Sequence, residues 1–115
     1  MADRTPLLRI HDMLESIRGI EKAISGKSYR DYQRSWLLRS AIERGVEVIS
    51  EASRHLDREL KSQHKEVRWK DIAGIGNVLR HEYQRVDDTI IWRAVKDDLP
   101  ALKAALISLK ASLEE

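Results

Sequence analysis

Apolar side chains recur along this chain at three- and four-residue steps, the spacing of helix stripes. Leu7, Ile10, Leu14, Ile17, Ile20 and Ile24 form the first stripe. Thr5 and Pro6 stand where an N-cap hydroxyl and a first-turn proline belong, and Gly26 closes the helix. A second stretch, from about Ser28 to Leu60, carries Trp36, Leu37, Ile42, Val46, Ile49, Ala52, Leu56 and Leu60 at helical spacing without a proline, which predicts one long helix. Arg39, Glu43, Glu47 and Glu51 run along its other side as an i, i+4 ladder and read as a solvated face. The segment KSQHKEVRW has no apolar period and predicts a loop. A third helix, from about Trp69 to Tyr83, has Ile72, Ile75, Val78 and Leu79 on its apolar side. Gly74 and Gly76 inside it each cost up to about 1 kcal/mol relative to alanine, which predicts close approach of another helix or a ligand. Asp87 or Asp88 can cap a helix holding Ile90, Ile91 and Val95; Leu99-Pro100 breaks or restarts it, and Leu102, Leu106, Leu109 and Leu113 form the last stripe. No strand-like alternation, repeat or low-complexity tract interrupts this pattern. The expectation is an all-α antiparallel bundle of four to five helices, one domain over residues 1–115.

Composition narrows the function more than the fold. A chain of 115 residues can build a core yet leaves much apolar surface exposed, and Leu106, Leu109 and Leu113 near its end make a partner subunit a reasonable expectation. The absence of cysteine excludes disulfides, thiolate zinc sites and a cysteine nucleophile. No stretch approaches a membrane span, and MADRTPLLRIHDML lacks a long apolar signal core, so the expected location is cytoplasmic. A net charge of +2 permits an acidic partner without demanding one.

The chemistry concentrates in NVLRHEYQRVDD, Asn77 to Asp88. Asn77 and His81 are one turn apart on one helix face, with Gly74 a turn further back. Tyr83 lies about 200° round an ideal helix from His81, so it serves another surface unless the helix ends between them. His11, His55, His64 and His81 are too scattered for a metal site, and neither a Ser–His–Asp pattern nor a phosphate-binding glycine loop is present. The chemistry that these residues can support is phosphodiester work, with His81 moving a proton and an arginine or amide holding phosphate.

The block WKDIAGIGNVLRHEYQRVDDTIIWRAVKDDLPALK, with AIERGVEVISEA upstream, closely resembles the HepT-like branch of the HEPN family, the toxin half of HEPN/MNT toxin–antitoxin pairs. The resemblance rests on Trp-x-x-Ile-x-Gly, Asn-x-x-x-His-x-Tyr and Val-Asp followed by Trp and Asp-Leu-Pro. It implies a homodimeric, metal-independent endoribonuclease acting on tRNA or mRNA, without cofactor or membrane partner. His81 would be the catalytic imidazole and Asn77 the polar residue one turn before it. Tyr83 would be the tyrosine that the cognate MNT-type nucleotidyltransferase antitoxin modifies with AMP, as in type VII toxin–antitoxin systems. Family members carry an arginine separated from the histidine by four to six residues, and here those positions hold Gly74, Ile75 and Gly76. Arg80 is the nearest replacement, although it projects about 100° from His81, and Arg39 or Arg85 are alternatives. Two functions follow: a ribonuclease toxin silenced at Tyr83, or a weakened HEPN dimer that binds a nucleotide or its nucleotidyltransferase partner.

Overall fold

The computed structural model describes the backbone of residues 5–82 and 87–115 and the side chains of residues 6–79 and 87–115. Among them every regular element is helical: α1 (Thr5–Ile24), α2 (Tyr29–Arg34), α3 (Trp36–Arg54), α4 (Arg58–Ser62), α5 (Trp69–Glu82), α6 (Asp88–Arg93) and α7 (Leu99–Glu114). The all-α expectation holds, with seven α-helices among the described residues in place of four or five because the middle stretch divides.

Ordinary cap chemistry makes that division. Ser28 and Asp31 form a reciprocal capping box that starts α2, the Ser28 N–H donating to Asp31 Oδ2 at 2.8 Å and the Asp31 N–H to Ser28 Oγ at 3.1 Å. Ser35 then leaves helical geometry (φ −104°, ψ 110°) and accepts the Leu38 N–H at 3.0 Å, opening α3. Helix α3 ends at Arg54, and α4 is a separate turn and a half. The single helix expected from Ser28 to Leu60 is therefore three. Trp36 and Leu37, expected in its buried stripe, are 79% and 72% exposed, and Leu38 enters the core instead.

Ile10, Met13, Leu14, Ile17 and Ile20 of α1 meet Ile42, Val46 and Ile49 of α3 and Leu102, Leu106 and Leu109 of α7, all buried. Two helices approach closely at Gly45: a Cβ there would stand 2.8 Å from Ile20 Cγ1 and Cδ1. Gly74, where close approach was expected, has nothing within 4 Å of such a Cβ and faces open space. Gly26 adopts φ 72° just beyond α1, the left-handed turn that glycine takes most easily. Asp87 caps α6 by accepting the Thr89 N–H at 2.9 Å. A π-helical turn, Ala94–Asp98, connects α6 to α7 and absorbs Pro100 in the first turn of α7. Among the described residues no helix is long and apolar enough to cross a membrane.

Candidate active site

Helix α5 carries the candidate chemistry, and its first half is fixed firmly. Trp69 Nε1 donates to the His64 carbonyl at 3.0 Å, and Arg68 pairs with Asp71 at 2.6 Å. Ser50, buried on α3, donates from Oγ to the Ala73 carbonyl at 2.8 Å and accepts the Gly76 N–H at 3.0 Å. One hydroxyl thus joins the two helices through the backbone of α5. Gly76 is buried at this junction, so any side chain there would point into α3.

The opposite side of α5 is open. Gly74, Asn77, Val78 and His81 share one strip by their spacing. Gly74 and Val78 line a cleft of about 460 Å³ whose floor includes Val46 and Ile49 of α3 and whose far side includes Ile90 and Arg93 of α6. Ile90 remains 50% exposed. At the cleft's outer end Arg68 Nη1 lies 3.8 Å from Asp98 Oδ1. Burial pushes the Asp98 carboxyl above the usual carboxylate range, against the lowering effect of Arg68.

Asn77 is exposed on this strip, and the backbone of Arg80 and His81 forms the last turn of α5. The side chains of Arg80 and His81, and all of Tyr83 and Arg85, lie outside the described residues. Arg39, read as part of a solvated ladder or as a spare phosphate cation, is engaged. Its Nη1 meets Asp88 Oδ2 at 2.6 Å, its Nη2 stands 4.0 Å from Glu43, and its guanidinium lies 5.6 Å from the centre of the Tyr32 ring. The hydrogen bond to Asp88 raises its pKa further. Burial raises the Glu43 carboxyl. Arg39 is matched by carboxylates and pins the start of α3 to the start of α6. Beneath it Tyr32 is buried and stacks on Trp92 with ring centres 5.5 Å apart.

Sequence reading missed Ser50 and Arg93. Nothing local marks Ser50, whose partners lie on α5. Arg93 looked like one more charge on a short helix, and only the folding of α6 beside α5 puts it on the cleft.

These features define a class: an all-α domain presenting a histidine-bearing helix along an open, apolar cleft with cations at its rim. The chain belongs to the HepT-like ribonuclease family, whose profile matches residues 13–109. It is 30% identical over 103 residues to "Putative RNase MJ1380" of Methanocaldococcus jannaschii, spanning 90% of this chain and 94% of that one. It is 32% identical over 100 residues to "Putative RNase TTE0752" of Caldanaerobacter subterraneus subsp. tengcongensis, covering 87% and 89% of the two chains. With "Probable ribonuclease HepT" of Thermococcus cleftensis it shares 31% identity over 101 residues, 88% and 92% of the two. No solved structure matches it.

Proposed function

We propose that this protein is a metal-independent endoribonuclease, the toxin of a HEPN/MNT pair. The observation that carries this reading is the open cleft lined by Gly74 and Val78, on the side of α5 to which helical spacing assigns Asn77 and His81, inside the segment that the family profile matches. In the reaction the ribose 2′-oxygen attacks the adjacent phosphorus and the 5′-oxygen of the next nucleotide leaves, producing a 2′,3′-cyclic phosphate and a 5′-hydroxyl. His81 takes the 2′-hydroxyl proton or returns one to the leaving oxygen. The Asn77 amide, with Arg93 across the cleft or Arg80 beside His81, offers donors to the phosphoryl oxygens. A second copy of the chain covers Ile75, Val78 and Ile90, which one chain leaves partly exposed, and completes the site as a homodimer. AMP added to Tyr83 by a nucleotidyltransferase antitoxin brings bulk and negative charge beside a phosphate site and blocks it.

A second reading has its own support. Gly76 is buried on Ser50 and Arg39 is paired with Asp88, so neither supplies the cation that the family places ahead of its histidine. On that reading the dimer binds its partner without cutting RNA. Expression of the wild type and His81→Ala without any partner, with growth and cleavage of total RNA measured, separates the two. A toxic, RNA-cutting wild type and an inert variant establish the ribonuclease; two inert proteins leave the binding role.

A further inference from the structure

The elbow between α2 and α3 bears the most exposed aromatic side chain among the described residues. Ser35 turns the chain there, and Trp36, the first residue of α3, stands 79% exposed beside Leu37 at 72%. Neither supports the fold, since Leu38 supplies the core contact at this corner. Charge gathers at the same place. Between Lys27 and Arg39 the sequence has four cations and one carboxylate, a surplus of +3 that exceeds the +2 of the whole chain. Arg39 is paired with Asp88, but among the described residues no ion pair forms at Lys27, Arg30 or Arg34, which are exposed. Asp31 is committed to the Ser28 N–H, and that bond holds its carboxyl below the usual range. Beside the elbow runs a groove of about 590 Å³ with Ala23, Leu37, Leu38 and Ala41 along it and Lys27 and Arg34 at its rim. The Arg39–Asp88 pair joins the start of α3 to the start of α6, so the elbow sits at the end of the bundle where α6 begins.

We propose that this elbow is a subsite for single-stranded RNA, in which Trp36 stacks on a base while Lys27, Arg30 and Arg34 hold the flanking phosphates. An exposed indole amid cations suits a nucleobase and its phosphates, because stacking tolerates any base and the cations track the backbone. Protein interfaces also favour tryptophan and arginine but deplete lysine, and a surplus of +3 with its one carboxylate already committed matches a polyanion better. The choice of RNA rests on the ribonuclease reading, and the subsite would position a strand whose scissile bond lies at His81.

The test measures binding of a fluorescein-labelled twelve-nucleotide oligoadenylate with 2′-O-methyl riboses to the full-length protein, by anisotropy at several salt concentrations. Trp36→Ala is expected to weaken binding about 5- to 100-fold and Trp36→Phe much less, the range of one lost stacking contact. Arg30→Ala and Arg34→Ala should each reduce the slope of log affinity against log salt by about 0.7. Unchanged affinity in Trp36→Ala overturns the subsite, as does a wild type that fails to bind the probe. If Trp36 instead seals a protein interface, Trp36→Ala alters the sedimenting mass and leaves RNA affinity untouched, which also overturns it. The probe has no free 2′-hydroxyl, so binding is read independently of cleavage. A wild type that cuts RNA but binds without need of Trp36 removes the subsite alone; one that never cuts RNA but needs Trp36 to bind removes the ribonuclease reading alone.

Discussion

The two faces of α5 are built in opposite ways. One is joined to α3 through Ser50, whose hydroxyl serves both the Ala73 carbonyl and the Gly76 N–H, with Gly76 buried at the junction. The other is a cleft wall where Gly74 meets nothing within 4 Å of a built Cβ and Asn77 is exposed. On the proposed function, the difference separates support from chemistry on a single helix: the joined face sets where α5 stands, and the open face is left to a substrate and a second subunit.

The largest expected effect breaks the open face. His81→Ala should lower RNA cleavage by about 10²- to 10⁴-fold, the usual contribution of a positioned proton-transfer group, measured as initial rate on a labelled RNA. A cleavage rate that does not change would remove His81 from the reaction.

Next comes the joined face. Ser50→Ala removes the two hydrogen bonds by which one hydroxyl joins α3 to α5 and should cost about 1–3 kcal/mol, read as a fall in melting temperature of several degrees. Cleavage by the fraction that remains folded should fall less than in His81→Ala. Equal loss in both would mean that the two faces are not separable.

Gly74→Arg sharpens the comparison by adding to the open face the arginine that the resemblance implies at positions 74 to 76, where this chain has Gly74, Ile75 and Gly76. Position 74 is helical, has room, and shares the His81 strip, so the change should raise helix stability by up to about 1 kcal/mol and increase cleavage by about tenfold. The same residue at position 76 would meet Ser50 and should unfold the junction. A Gly74→Arg protein no faster than wild type would show that the cation comes from elsewhere, with Arg93 the first candidate.

Much of this arrangement was legible in the sequence, and the rest failed for identifiable reasons. The stripes of α1 and α7 were readable because each helix buries one face against the same core. The break at Ser35 was not, because Trp36 and Leu37 continue the apolar spacing although neither is buried; Ser35 itself, an N-cap residue ahead of an apolar run, was the available sign of a new helix start. Asn77 and His81 could be placed on one strip because a spacing of four residues is local information. The cleft could not be read, since its far side is Ile90 and Arg93, brought to α5 by tertiary packing. The glycines were readable only in part: Gly76 is buried at the junction with α3 as close approach requires, but Gly74 faces open space, and Gly45, which no local feature distinguishes, takes the close contact with Ile20.

The smallest expected effect lies at the cleft's outer end, where the two constructions meet. Asp98 resists ionisation because it is largely buried, and Arg68, itself 63% exposed, compensates only in part. A carboxyl whose pKa is raised on folding binds its proton more tightly in the native state. Below the ordinary carboxylate range, near pH 4, both states are protonated and nothing is lost. As pH rises through the raised value the unfolded chain ionises first, so stability falls and stays lower at neutral pH. Asp98→Asn should therefore melt together with the wild type at pH 3.5 and a degree or two above it at pH 7, a gain of about a few tenths of a kcal/mol. If the variant instead melts lower at pH 7, the pair with Arg68 outweighs the cost of burial, and the rim of the cleft belongs with the joined face.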